Sequence, residues 1–162
     1  LHHGCTVVGV TGRAEKAATL ARWGVAHPVN SGERDFADAV RSTVGQVDVV
    51  VDTLAGAEIP RTLSLLADGG RFIEIGVGDA IGAVSLDPKA LFLRGQAFFG
   101  VNLGALMANE NRLDRLLDRV THYLAKGILR PVIDRTVPFT AAQEGHDRLR
   151  SRASIGKVVL VK

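Results

Sequence analysis

The residues able to do chemistry in this 162-residue chain cluster in short loops rather than in catalytic constellations. Thr11-Gly12-Arg13, with Lys16 one helical turn on, offers a hydroxyl, close backbone approach and two cations. That set suits a phosphate monoester, which carries nearly two negative charges and several acceptors. Asn30-Ser31, Thr53-Leu54-Ala55-Gly56 and Gly76-Val77-Gly78 are further runs of small residues that let a ligand approach backbone. Each loop alone is also what any α/β protein needs, and Arg13 and Lys16 alone fit a solvated helix face. Glu15 is expected to point away along the helix. Acid, base and nucleophile are missing. The histidines at 2, 3, 27, 122 and 146 lack metal-ligand spacing, and Ser64 and Ser85 lack a nucleophile elbow. Tyr123 reads as helix packing, and Cys5, the single cysteine, as inert core. Hydride transfer needs none of these groups, because a cofactor carries that reaction.

The elements that position these loops alternate between strand and helix. Residues 5–10 read as a buried strand, 13–23 as a helix with a small-residue face stopped by Gly24, and 25–30 as a strand placed near an edge by Pro28. Asp35 is placed to cap a helix over 36–44, ended by Gly45. VDVVVD at 47–52 is the clearest strand, and its density of β-branched residues predicts burial on both faces. A helix over 57–66 is broken by Asp68-Gly69-Gly70, and a strand follows over 71–75. Asp87-Pro88 opens a short helix, 96–103 is a strand, and 111–126 is an amphipathic helix. Residues 135–139 are extended, Thr140 caps a helix over 141–151, and 155–161 is a closing strand. This order is the signature of βαβ units in a doubly wound, mainly parallel sheet, a three-layer sandwich. Val49, Val51, Phe72, Ile73 and Ile75 are the expected centre of that sheet.

In such a sheet ligands bind at the carboxyl ends of the strands, where all four loops fall. A domain binding NAD places Asp or Glu at the end of its second strand. Here that place holds Thr11, Gly12 and Arg13, which favours a cofactor with a 2′-phosphate.

Composition narrows the class. Apolar residues are 46% and charged residues 23%, which excludes a disordered or fibrous chain. A chain this long buries roughly 70% of its unfolded surface. No apolar run is long enough to span a bilayer, and the expected location is cytoplasmic. Net charge is +3, but the cations are interleaved with acids and form no stripe, so neither nucleic acid nor membrane is an expected partner.

Residues 45–76, above all Val47-Asp48-Val49-Val50-Val51-Asp52-Thr53-Leu54-Ala55-Gly56 and Asp68-Gly69-Gly70-Arg71-Phe72-Ile73-Glu74-Ile75-Gly76, resemble the medium-chain dehydrogenase/reductase superfamily. Gly127-Ile128-Leu129-Arg130-Pro131 and Ser154-Ile155-Gly156-Lys157-Val158-Val159 resemble its C-terminal end. The resemblance covers essentially the whole chain and is to the cofactor-binding domain of the zinc-free NADPH:quinone oxidoreductases, with polyketide synthase enoyl reductase domains next.

The resemblance implies an NADPH-dependent reductase of a small-molecule enone, enoyl thioester or quinone. Lys16, with Thr11 and Arg13, takes the place of the 2′-phosphate site. Ser31 falls where many relatives have Tyr near the adenosine. Thr53, Leu54 and Ala55 match the turn lining adenine and ribose, and Gly76 and Val77 the loop along the nicotinamide half. Phe99, Gly100 and Val101 match the stretch beside the nicotinamide, and Arg152 an arginine reaching the cofactor phosphate. Asn102, where synthase domains usually carry Asp, tilts the reading toward a stand-alone quinone reductase. A homodimer is expected through the edge strand at 97–101. The first strand and glycine-rich phosphate loop would lie upstream, with the substrate domain, so 1–162 reads as the C-terminal part of a longer enzyme, silent by itself. A non-catalytic nucleotide-binding module is the alternative, and a basic protein binding acidic partners a distant third.

Overall fold

The computed structural model describes residues 2–54, 56–76, 84–108 and 110–162. They form two compact units, Leu1–Glu110 and Asn111–Lys162. Every strand pairing among the described residues is parallel, and the fold is the expected α/β, Rossmann-like class.

The first unit begins with β1 (Val8–Thr11), α1 (Ala14–Arg22) and β2 (His27–Asn30), β1 pairing β2 with Val10 opposite Val29. Gly24 takes a φ of +84° just beyond α1, a left-handed turn that glycine adopts without Cβ strain. Helix α2 (Phe36–Val44) opens on Asp35, whose carboxylate accepts from the Asp38 amide at 3.0 Å. Alternate residues of β1 face opposite sides, and the two helices divide accordingly. Gly9 faces α1 so closely that a Cβ there would meet Leu20 Cδ1 at 2.8 Å. Val8 faces the other way and packs on the cluster of Val29, Ala37, Ala39, Val40 and Leu65 that α2 brings in. This is a doubly wound sheet, with helices on both sides of one parallel pair.

Strand β3 (Val47–Asp52) pairs β4 (Leu66–Glu74), with a short 3₁₀ turn at Gly56–Glu58 and helix α3 (Ile59–Leu63) between them. The helix expected over 57–66 therefore ends early, and Leu66 already belongs to β4. The break expected at Asp68-Gly69-Gly70 is a bulge inside that strand, because the register runs from Val47–Leu66 to Val49–Arg71. Arg94 and Gln96 hold the bulge by donating to the Leu66 carbonyl at 2.7 and 3.1 Å. Helix α4 (Pro88–Leu93), capped by Asp87, leads to β5 (Ala97–Gly100), which pairs β4. A short helix α5 (Leu103–Met107), absent from the sequence expectations, follows on an Asn102 cap.

Burial in this sheet is one-sided, which corrects the sequence reading. Val50, Leu66 and Phe72 are buried with Ile59, and Phe72 stacks on Phe98 with ring centroids 4.9 Å apart. Val49, Val51 and Ile75, expected at the centre, are 42%, 61% and 46% exposed, while Ile73 is half-buried. Side chains alternate along β3, so Val49 and Val51 face away from α3. Among the described residues nothing buries that second face. Cys5, expected in the core, is exposed, because β1 starts three residues beyond it.

The second unit holds the amphipathic helix α6 (Glu110–Ala125, whose first residue lies in the first unit), β6 (Ile133–Pro138), α7 (Ala142–Arg150) and β7 (Lys157–Val161). Strand β6 pairs β7. Thr140 does not cap α7 as expected; it lies within a 3₁₀ turn at Phe139–Ala141, and no side chain caps that helix. Asp134 is the anchor. Arg148 grips it with two bonds of 2.9 Å and the Ile155 amide donates to it at 2.9 Å. Those bonds, the Arg148 pair first, hold its carboxyl well below the usual carboxylate range.

Candidate functional site

Apart from Arg152, the described site residues fall into two groups, both at carboxyl ends of parallel strands in the first unit. The first group closes β1 and β2. The Ser31 amide and hydroxyl both donate to the Thr11 carbonyl, at 2.8 and 3.3 Å. Gly32 then passes so near Gly12 that a Cβ on it would sit 2.8 Å from the Gly12 carbonyl oxygen. Asn30 turns this loop, accepting from the Gly32 amide at 3.1 Å and donating to Glu33 at 2.7 Å.

An open cleft of about 580 Å³ lies between the loops, lined by Gly12, Arg13, Ala14, Glu15, Asn30, Gly32 and Glu33. Arg13 is the residue before α1, and its carbonyl accepts from the Lys16 and Ala17 amides at 3.1 Å. The free amides of the helix start favour an anion there, beside Arg13. Lys16 is half-buried one turn into α1.

One expectation at this site is overturned. Glu15 does not point away; it lines the cleft, and its carboxylate lies 3.8 Å from Arg13 Nη1. Both side chains are about half exposed, so the pair is weak and water-screened. Glu33, not singled out in the sequence, adds a second carboxylate to the rim. Its signal was its place just after the Asn30-Ser31 loop.

The second group closes β3, β4 and β5. Thr53 and Leu54 follow β3, Gly76 follows β4, Phe99 and Gly100 end β5, and Val101 follows it. Gly76 lies against Thr53, where a Cβ would stand 3.4 Å from the Thr53 Cα and carbonyl oxygen. The Val101 amide donates to the Glu74 carbonyl at 2.8 Å. Leu54, Phe99 and Val101 are exposed at 61%, 49% and 44%, apolar side chains at these strand ends. Ala55 and Val77 lie outside the described residues. Arg152 belongs to the second unit, between α7 and β7, with a φ of +54° that is unusual for a side-chain-bearing residue.

Sequence reasoning missed Asp52 and Glu74. They are register partners at the ends of β3 and β4, and both are buried. The available signal was a carboxylate at the end of VDVVVD and another closing the apolar Phe72-Ile73 pair.

Parallel βαβ units with small-residue loops at the carboxyl ends define a dinucleotide-binding domain. A sequence model of the family described as zinc-binding dehydrogenase matches residues 23–160, and the chain belongs to that family, within the medium-chain dehydrogenase/reductase superfamily. The quinone oxidoreductase of Sus scrofa is 28% identical over 98% of this chain and 48% of its own length. A highly reducing polyketide synthase of Cordyceps militaris is 32% identical over 98% of this chain but 6% of its own length. The crystal structure of a 2-haloacrylate reductase superposes with a TM-score of 0.82 at 27% identity, over 99% of this chain and 51% of that one. The chain thus spans about half the length of the quinone oxidoreductase it matches.

Despite the family's description, among the described residues no group of three or more His, Cys, Asp or Glu could hold a metal ion. The cleft suits the phosphate-bearing end of a dinucleotide, since Gly12 and Gly32 line it without side chains and Arg13 stands at the start of α1. Asn102 does not separate the two branches of relatives: its side chain accepts from the Ala105 amide, a capping task that Asp performs equally well. Among the described residues no helix is long and apolar enough to cross a membrane.

Proposed function

We propose that this chain is the C-terminal, cofactor-binding part of an NADPH-dependent reductase acting on an activated carbon–carbon double bond or a quinone. The observation that carries the reading is the cleft at the end of β1, where Thr11, Arg13 and the start of α1 meet the Ser31–Glu33 loop. Arg13 and Lys16 take the 2′-phosphate, and Ser31 fixes the Thr11 turn rather than stacking on a base. Thr53, Leu54 and Ala55 line the adenine and ribose; Gly76, Val77, Phe99, Gly100 and Val101 line the nicotinamide half; Arg152 reaches the cofactor phosphate. Bound NADPH supplies the hydride, and this chain's residues bind and orient it.

The relatives support the substrate class, since their names describe a quinone oxidoreductase and a 2-haloacrylate reductase. The rest of the enzyme supplies the substrate domain, the glycine-rich loop and one more parallel strand, between β1 and β3. Among the described residues, β1 pairs only with β2, and β3 only with β4. Val8 and Val47 pack on the same core cluster, which brings those two strands to one region. The enzyme is cytoplasmic and a homodimer through β5, whose outer edge is unpaired among the described residues.

The test is oxidation of NADPH and of NADH by the full-length protein with an enone, an enoyl thioester and a quinone as separate acceptors. Turnover of at least one acceptor with NADPH preferred is expected. Binding of NADPH with no turnover of any acceptor points instead to a nucleotide-binding module. Failure to bind either cofactor refutes the reading.

A further inference from the structure

Two carboxylates on the covered face of the central sheet are unexplained by stability. Asp52 is 5% exposed and Glu74 9%, and they sit side by side in register on β3 and β4. Their neighbours on that face are Val50 and Phe72. Burying a carboxylate is costly unless its oxygens are matched by donors. Here Asp52 Oδ2 and Glu74 Oε2 are buried with no hydrogen-bond partner. An apolar pair at these positions would remove two unmet acceptors and suit the sheet better.

The other two oxygens show what the carboxylates do. The Leu54 amide donates to the Asp52 carboxylate at 2.6 Å, and the Gly76 amide donates to Glu74 at 3.2 Å. Each bond closes a turn from residue i to i+2 at the point where its strand ends. The backbone ladder reaches this level and goes little further: the Ile75 amide donates to the Asp52 carbonyl at 3.0 Å, and the Val101 amide to the Glu74 carbonyl at 2.8 Å. Beyond it the side chains take over. The two turns also touch, Gly76 against Thr53.

We infer that Asp52 and Glu74 are positioning residues: a buried carboxylate pair that holds the Thr53–Leu54 turn and the Gly76 turn in the shape the reduced dinucleotide meets. This rests on the proposed NADPH-binding function, because those turns are the second group of site residues. Neither carboxylate touches the cofactor; each acts through a backbone amide two residues on.

The experiment uses the full-length protein and four variants, Asp52→Ala, Asp52→Asn, Glu74→Ala and Glu74→Gln. Loss of one such bond raises the KM for NADPH about tenfold in each alanine variant, more than kcat falls. The amide variants keep a carbonyl acceptor and recover most of the loss, which a requirement for the negative charge would not produce; two further variants, Asp52→Leu and Glu74→Met, which keep bulk without an acceptor, recover none of it. Folded alanine variants with unchanged KM for NADPH overturn the inference, as do amide variants no better than alanine. If the alanine variants do not fold, amide hydrogen exchange on the wild type decides. Leu54 and Gly76 amides must exchange slowly without cofactor, and fast exchange at either overturns the brace. A wild type that binds no NADPH refutes the functional reading, and the same exchange measurement still decides whether the brace exists.

Discussion

The proposed cofactor preference rests on single side chains around the cleft at the end of β1. Arg13 lines that cleft and Lys16 lies one turn into α1; both are the cations proposed for a 2′-phosphate, while Glu15 and Glu33 set a limit on how positive the rim becomes. Hydrogen bonds to a charged group contribute about 1.5–3 kcal/mol, and exposure at the rim reduces that. Replacing Arg13 and Lys16 together by Ala is therefore expected to weaken NADPH binding by roughly tenfold or more and to leave NADH nearly unchanged. Glu15→Gln, which removes the carboxylate 3.8 Å from Arg13 and lowers the negative charge of the rim, moves the preference the other way, toward NADPH. Cofactor fluorescence titration reads both; equal losses for the two cofactors would remove Arg13 and Lys16 from the phosphate site. The cations were legible in the sequence. The direction of Glu15 was not, because it depends on the angle at which α1 leaves β1.

Among the elements, the β6–α7–β7 group depends on one anchor. Asp134 sits where the β6–β7 register shifts between Ile133 and Arg135, and it joins α7, through Arg148, to the end of the loop before β7. Gly156 completes the corner with a φ of +100°, since a Cβ there would collide with the Val132 carbonyl. The folded state holds the Asp134 carboxyl below its ordinary value, so linkage fixes the sign. The stabilisation is fully present above the unfolded pKa, near pH 4, and is lost as pH falls through the lower folded value. The gap in melting temperature between wild type and Asp134→Asn should be full at neutral pH and shrink below about pH 4. A gap that stays constant into strong acid would show that the charge on Asp134 does not matter. Sequence pattern located these strands to within a few residues, but the pairing of Asp134 with Arg148 and Ile155 is a contact between separate elements that no local pattern encodes.

For the whole molecule, the inner edges of β1 and β3, unpaired among the described residues, and the exposed Val49 and Val51 face have a common explanation in the proposed additional strand and its surroundings. An unpaired strand edge leaves its amides open to water and its side chains unpacked. Amide exchange in β1 and β3 is accordingly expected to be much slower in the full-length protein than in residues 1–162 alone. Equal exchange in the two would show that no strand enters between them. Light scattering on the full-length protein tests the proposed β5 pairing, and a monomer across micromolar concentrations would count against it.

The sequence by itself determined the alternation of strand and helix, the parallel class, the loops at the strand ends and the cations at 13 and 16. Those features follow from local rules: β-branched runs, glycine stops, Asp35 and Asp87 caps, and the spacing of small residues. It also carried the family resemblance. What only the tertiary structure decided is which side of each strand is covered. VDVVVD reads as buried on both faces, yet Val50 is buried and Val49 and Val51 are not. Composition states that a strand is apolar, whereas burial depends on what other elements pack against each face. The same holds for Asp52 and Glu74. Their role exists because two strands far apart in sequence end side by side and turn against one another, a proximity set by sheet register.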